Sequence, residues 1–272
     1  MPSNDESEGS TGSNGYCRND PAQDLWARWM WFSTFSPVYE IMIGTNHTPW
    51  YPPYSSDLVD ILKTTANLHH DLLPYIKSYT YMAHLTGIPV MRAAFLEAPS
   101  DKQTYLQNDA YFFGSELYIA PIVSANGQRS VYFPKGTKYL EYFGKTSVHD
   151  GGSTAHVALD VHSVPAYVRA GAIVPRGDIY QGNNKWTTDW CPELTVELYP
   201  SSNVSLSTFS YFTGARITMS VDALSGAVNV EYGALGVNGT FVMFVKGGMM
   251  NATLHAAGGS ASFAKVATLF DD

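Results

Sequence analysis

The sequence has few charged residues and few cysteines. Only 15% of its 272 residues are charged, against about a quarter in an average soluble domain. The 16 basic and 24 acidic residues give a formal net charge of −8, and the lysines and arginines form no cluster. Binding to nucleic acid or to an anionic membrane depends on such a cluster, so we expect neither partner and predict an uncharged ligand.

The sequence also lacks a long hydrophobic run. A membrane-spanning helix needs about 20 consecutive apolar residues, and the best candidate, residues 110–123, is interrupted by Gly114, Ser115 and Glu116. The first residues have neither the basic nor the apolar region of a signal peptide. Four N-x-S/T sequons, at Asn46, Asn203, Asn238 and Asn251, are somewhat more than chance supplies and leave a secretory or extracellular location open.

Cysteine and metal chemistry receive no support from the sequence. Cys17 and Cys191 are far apart and could form a disulfide or remain two thiols. The eight histidines are scattered, and no zinc spacing, phosphate-binding glycine loop or G-x-S-x-G motif is present. We therefore predict no metal and no cofactor.

Aromatic residues are abundant, with 18 Tyr, 13 Phe and 6 Trp making up 14% of the chain. A sugar ring has an apolar face and a rim of hydroxyl groups, so aromatic rings with polar tips suit carbohydrate binding. Because strands are also enriched in Tyr and Phe, a high β content would explain the same composition. Composition alone leaves both explanations open.

The pattern of apolar residues predicts helices first and strands later. Residues 24–37 suggest a buried helix, residues 57–85 a helix that Pro74 must kink or divide, and residues 89–95 a short strand. Beyond residue 108, short strands separated by turns are spaced as in a β-sandwich. The predicted strands cover residues 117–123, 129–133, 139–142, 166–168, 194–199, 217–221, 228–232 and 240–245.

Two groups of charges could carry chemistry. Asp5, Glu6 and Glu8 form the only dense acidic cluster, which is either a solvated terminus or part of a carboxylate site. Arg28 lies in an otherwise apolar segment, where it is either a structural ion-pair member or a donor to a sugar. We interpret the acidic cluster as solvated and Arg28 as structural.

Three ordered segments carry a family resemblance. They read D-L-W-A-R-W at 24–29 with F-S-P-V at 35–38; L-L-P-Y-I at 72–76 with G-I-P-V-M-R at 87–92; and Y-F-F-G-S-E-L-Y-I-A-P-I-V at 111–123 with V-Y-F-P-K-G at 131–136 and V-P-A-Y-V-R-A-G-A-I-V-P at 164–175. Together they resemble the C-terminal part of glycoside hydrolase family 31, the α-glucosidase and α-xylosidase family, over residues 4–200.

The resemblance implies an α+β fragment, the end of a (β/α) barrel followed by β-sandwich domains. Residues 1–110 would be the C-terminal end of the barrel catalytic domain, 111–214 a proximal β-sandwich and 215–272 part of a distal β-domain. The implied activity is retaining hydrolysis or transfer of α-linked sugars. Both catalytic carboxylates of the family would lie upstream, so we expect no catalytic residue here, no activity as given, and a need for the missing N-terminal barrel portion as partner.

The resemblance also implies site residues. Asp5 falls on the Asp of the family's S-D-I-G-G-F loop, while Glu40 and Met42 replace an Arg and a sugar-contacting His. The implied substrate-binding residues are Asp5, Glu40, Met42 and Trp50, and the implied structural residues are Arg28, Trp29 and Arg92. Because a thioether cannot donate to a hydroxyl, we expect a sugar that is less polar, or differently oriented, beside Met42. The alternative is a non-catalytic carbohydrate-binding or structural β-protein derived from such an enzyme.

Overall fold

The structure of the chain is a computed structural model that describes residues 22–40, 48–179, 193–264 and 269–270. Within these residues the chain is mostly β-sheet with few helices. The helices are α1 (Gln23–Thr34), α2 (Ser56–Asp71), α3 (Leu73–Thr86) and α4 (Ala94–Glu97), with a 3₁₀-helix at Lys102–Leu106. The strands are β1 (Met91–Ala93), β2 (Tyr111–Phe113), β3 (Leu117–Ile119), β4 (Gln128–Tyr132), β5 (Lys138–Glu141), β6 (Val148–Asp150), β7 (Thr154–Ala158), β8 (Ala166–Arg169), β9 (Ile173–Arg176), β10 (Glu193–Leu198), β11 (Leu206–Ser210), β12 (Arg216–Val221), β13 (Val228–Tyr232), β14 (Asn238–Val245), β15 (Gly248–Leu254) and β16 (Gly259–Phe263).

The three long helices end where the sequence places breaking residues. Helix α1 ends shortly before Pro37, as expected. The long apolar repeat is divided into α2 and α3 at Leu72, because Pro74 can stand in the first turn of a helix but not inside one. Gly87 closes α3 in the left-handed conformation, at φ 75°, with its N–H donating to the Ala83 carbonyl. The prediction that Pro74 interrupts the helix is therefore confirmed.

The first sheet follows directly on the helices. Six strands lie in the order β1-β2-β3-β8-β5-β6, all antiparallel, and the separate two-stranded sheet of β4 and β7 packs against them. A cluster of buried rings fills the space between them: Phe112, Tyr118, Phe133, Tyr139 and Tyr167. Phe133 and Tyr167 meet edge to face, with 4.8 Å between ring centroids. Much of the high aromatic content therefore serves packing.

Two four-stranded sheets form the rest of the fold. One has the order β15-β14-β10-β9 and the other β11-β12-β13-β16. Their inner faces share one core, in which Tyr232 of β13 meets Phe241 of β14 edge to face at 5.1 Å. Strands β10 and β14 are parallel, which a simple succession of hairpins would not produce. The boundary predicted between residues 214 and 215 falls in the turn that joins the paired strands β11 and β12.

All eight predicted strands are present, within a few residues of the expected ends. The strand predicted over 89–95 is shorter, because the chain turns into α4 at Ala94. Seven strands of the described residues were missed: β2, β6, β7, β9, β11, β15 and β16. Strands β2, β6 and β9 have only three or four residues, and the other four bury few of their side chains, so neither group shows a clear apolar pattern. Among the described residues, no helix is long and apolar enough to cross a membrane.

Candidate functional site

Two of the four residues predicted to bind substrate lie within the described part of the chain. Glu40 is exposed four residues after the turn that ends α1, and Trp50 lies in the turns that lead to α2. Asp5 and Met42 lie outside the described residues. In the sequence, Glu40 precedes the segment 41–47 and Trp50 follows it.

Trp50 has the accessibility that a stacking residue needs. It is 56% exposed, and its neighbour Tyr51 is 58% exposed. Tyr54, at the end of the same run, is instead packed edge to face against Trp26 of α1 at 4.9 Å, which ties the run to the helices. The segment 50–54 therefore exposes the rings of Trp50 and Tyr51 to solvent, while Tyr54 holds it against α1.

Helix α1 holds the residues that we interpret as structural. Arg28 donates from Nη2 to the Leu159 carbonyl at 3.5 Å, its Nε is buried without a partner, and no carboxylate pairs with it in the described ranges. Trp29 packs edge to face on Phe32. Trp31 is buried and donates from Nε1 to the Val161 carbonyl at 2.9 Å. Arg28 and Trp31 thus attach α1 to the segment after β7.

Arg92 stands at the centre of a buried polar cluster. Its Nε donates to the Pro89 carbonyl at 2.8 Å, and its Nη1 donates to Ser115 Oγ at 2.7 Å and to the Glu97 carboxylate. Glu97 also accepts from Arg169 Nη1 at 3.1 Å. Glu97 therefore bridges two guanidinium groups and ties β1, α4 and β8 together.

A second polar cluster surrounds the carboxyl of Glu116, which lies in the β2–β3 turn. The Tyr75 hydroxyl is 2.8 Å from its Oε2, the Tyr79 hydroxyl donates to the same atom, and the Ser115 N–H donates to it at 3.2 Å. Burial raises the pKa of Glu116, although the two tyrosines oppose this shift by donating to the carboxylate. Both hydroxyls come from α3, so Glu116 joins that helix to the first sheet.

A third cluster joins α2 to the sheet of β9 and β10. Arg176 donates from Nη1 to Glu197 at 3.0 Å, and its Nε lies 2.7 Å from the Asp71 carboxylate. Glu197 is only 4% exposed and also accepts from the Tyr199 hydroxyl at 2.7 Å. Lys145 completes the cluster, with its Nζ above the rings of Tyr142 and Phe244, and burial lowers its pKa.

These clusters satisfy the charges they contain rather than present them to a substrate. Glu97, Glu116 and Glu197 are each held by arginine or tyrosine, so none is a free acid or base. No group of histidine, cysteine and carboxylate residues within the described ranges could hold a metal ion. Sequence reasoning gave these glutamates no role. The sequence signal that could have identified them is a glutamate within an otherwise apolar segment, as at Glu116 and Glu197.

The fold and its match to a family define the class of protein. Residues 87–174 match the model of the glycosyl hydrolase family 31 C-terminal domain. Residues 87–174 are therefore a glycosyl hydrolase family 31 C-terminal domain, the domain found in α-glucosidase and α-xylosidase type enzymes. The resemblance stated from the motifs is thus confirmed.

Individual relatives are similar over most of the chain. Alpha-glucosidase 2 of Bacillus thermoamyloliquefaciens is 30% identical over 233 residues, which are 80% of this chain and 27% of that protein. Family 31 dextranase of Flavobacterium johnsoniae, solved with glucose and, as a mutant, with isomaltotriose, has a TM-score of 0.68 at 23% identity, covering 82% of this chain and 30% of its own. The cycloalternan-forming enzyme of Listeria monocytogenes, solved with a pentasaccharide substrate, has a TM-score of 0.73 at 22% identity, covering 93% and 29%.

The chain spans only part of these proteins. It covers between 16% and 27% of the length of the curated relatives it matches. The likeness to the solved structures is a likeness of fold. The sugar complexes belong to those enzymes.

Proposed function

We propose that this chain is the C-terminal portion of a retaining α-glycosidase that acts on α-linked sugars. The match of residues 87–174 to the family 31 C-terminal domain carries the proposal. Its relatives include an α-glucosidase and a 1,6-α-glucosyltransferase, which supports an α-glucoside or similar α-linked substrate but leaves hydrolysis and transfer as alternatives.

In this proposal the helices α1 to α3 are the end of the catalytic barrel. Residues 1–110 would complete the barrel, 111–214 would be the proximal β-sandwich and 215–272 part of a distal β-domain. The position of α1 to α3 before the described strands supports this order. The missing N-terminal barrel portion of the same enzyme would be the partner against which α1 and α2 pack.

In this proposal the chain by itself has no glycosidase activity. Retaining hydrolysis needs two carboxylates about 5–5.5 Å apart, one as nucleophile and one as acid and base. The family motifs for both are absent from this sequence, and Glu97, Glu116 and Glu197 are held by arginines and tyrosines.

The expected result is no turnover of aryl α-glucoside, α-xyloside or α-galactoside by the chain as given. Turnover that disappears in Asp5→Asn or Glu8→Gln would contradict the proposal and would make the acidic N-terminal cluster catalytic. The same assay on an enzyme in which this chain is joined to a family 31 barrel portion is expected to show turnover. Inactivity of that joined enzyme, correctly folded, would also contradict it.

Asp5, Glu40, Met42 and Trp50 are the proposed substrate-binding residues of the joined enzyme. The exposure of Trp50 supports this role, since a ring must be accessible to stack on a sugar. Met42→His is expected to shift preference toward ordinary α-glucosides by restoring a donor. Unchanged kinetics on every substrate would place Met42 in the packing around the site.

A non-catalytic carbohydrate-binding protein is the second candidate. The exposed pair Trp50 and Tyr51 favours it, because two neighbouring rings could stack on a sugar without any catalytic residue. The two candidates differ in one observation: a reading frame upstream of Met1 that encodes the barrel strands supports the enzyme, and its absence supports the binding protein.

A further inference from the structure

A cavity of about 240 Å³ lies where α3, the β2–β3 turn and strand β11 meet. We name it the Arg92 cavity. Its lining includes Tyr79 and Met82 of α3, Arg92, Ser115, and Thr208 and Ser210 of β11. None of the residues predicted to bind substrate lines it, so it is an additional feature of the molecule.

Arg92 offers the cavity an unused donor. The guanidinium donates from Nε and Nη1, while no described residue accepts a hydrogen bond from Nη2. Arg92 is only 7% exposed and lines the cavity. Its bonds to Pro89 and Glu97 fix the plane of the guanidinium, so Nη2 is a preorganised donor and loses little conformational freedom when a ligand binds.

Strand β11 offers the cavity backbone groups that pair with no described residue. It is the edge strand of its sheet, and the Tyr211 N–H donates to the Ala215 carbonyl on the β12 side. In an antiparallel pair, alternate residues bond to the partner strand, so the N–H and C=O groups of Thr208 and Ser210 point away from β12. The next group in that series, the Phe212 N–H, donates to Ser78 Oγ on α3, which shows that this edge faces the helix.

The chemistry of the lining selects a neutral ligand rich in hydroxyl groups. Backbone donors and acceptors alternate along the edge strand, and a hydroxyl group can pair with either. Glu97 pairs with both Arg92 and Arg169, so its carboxylate offsets part of the positive charge that would attract an anion. The Met82 side chain adds apolar surface, which suits the C–H groups of a sugar ring.

We propose that the Arg92 cavity is a binding site for one sugar unit, either a free monosaccharide or a single residue of an oligosaccharide. The cavity is smaller than the roughly 300–1,000 Å³ of sites for drug-sized ligands, which limits the occupant to about one ring. A bound peptide strand would need a longer free edge, and Ser78 already occupies the position at Phe212. This proposal does not depend on the chain being part of an active glycosidase.

The first experiment titrates the unmodified chain, labelled with ¹³C at the methionine methyl groups, with D-glucose, D-xylose and maltose. Saturable shifts at the Met82 methyl signal in the millimolar range are expected, with no shift at Met249, which is 65% exposed and distant in the sequence. An absence of any saturable shift at Met82 with all three sugars would overturn the proposal.

The second experiment changes the cavity and measures the same affinity. Met82→Trp fills the cavity and is expected to weaken binding at least ten-fold, whereas Leu85→Trp on the exposed surface of α3 is expected to leave it unchanged. Thr208→Pro removes one N–H that points into the cavity without removing a bond to β12, and should weaken binding several-fold. Leu206→Pro makes the same change on the same edge, outside the cavity lining, and is the matched control.

The outcomes separate the possible ligands. Equal affinity in Met82→Trp and Leu85→Trp, both folded, would overturn the proposal. Saturable shifts at the Met82 methyl signal with a short peptide, but with none of the sugars, would assign the strand edge to peptide binding. That result would also overturn the proposal. Because the readout is binding by the chain alone, an inactive joined enzyme would leave this result unaffected, and a failure to bind sugar here would leave the proposed activity unaffected.

Discussion

Replacing Glu97 by glutamine tests the polar cluster that joins the helices to the first sheet. Glu97 bridges Arg92 and Arg169, and the side chains of the three residues are 13%, 8% and 28% exposed, respectively. The amide of glutamine keeps the shape but removes the negative charge, which leaves two guanidinium groups without a counter-charge. Removing one partner of a buried ion pair costs about 3–5 kcal/mol because the other charge stays desolvated.

The structure places the expected cost of Glu97→Gln near the lower end of that range. Arg92 retains the Pro89 carbonyl and Ser115 Oγ as acceptors, and Arg169 retains the Ser115 carbonyl. We therefore expect a loss of about 3 kcal/mol in the free energy of unfolding. For a chain of this size, that loss corresponds to a fall of roughly 6–12 °C in the midpoint of thermal unfolding.

The assay is thermal unfolding followed by circular dichroism, with Asp60→Asn as the matched control. Asp60 pairs with Lys63 at 3.0 Å on the exposed face of α2, so its replacement should cost less than about 1 kcal/mol. Equal effects of the two substitutions would refute the reasoning, since they would show that burial does not increase the cost of losing the charge. A stabilising Glu97→Gln would refute it as well.

Three further predictions concern other parts of the fold. His149 stacks on the buried ring of Phe133, and burial lowers the pKa of His149 below the unfolded value of about 6.5. The unfolded chain then binds the proton more readily, so the free energy of unfolding should fall as the pH drops below about 6.5. His149→Phe should reduce this pH dependence, which urea titrations at pH 5 and 8 would measure. Gly239→Ala should destabilise the chain by about 3 kcal/mol or prevent folding, because its Cβ would meet the Leu194 carbonyl oxygen of the neighbouring strand; a normal urea midpoint would contradict this. Tyr79→Phe should cost about 1–2 kcal/mol by removing a donor from a buried carboxyl, while Tyr81→Phe on the exposed side of the same helix should cost almost nothing, and equal costs would count against the buried hydrogen bond.

Local signals in the sequence determined the three long helices and about half of the strands. Pro74 and Gly87 set the boundaries of α3 because proline lacks an N–H and glycine accepts positive φ, and both properties are local. Strands β10, β12, β13 and β14 were predicted because apolar residues recur at a regular spacing between turns, whereas β11, which lies among them, was missed. The ordered motifs also indicated the family, which the match over residues 87–174 confirmed.

Only the tertiary structure decided how distant residues meet. The parallel pairing of β10 with β14 joins segments about 45 positions apart, and no local pattern encodes such a pairing. The same holds for Glu97 with Arg169 and for Tyr79 with Glu116, whose partners come from different elements. The Arg92 cavity exists because an edge strand, a helix and a turn leave a gap where they meet, and the packing of whole elements, rather than the order of residues, sets the size of that gap.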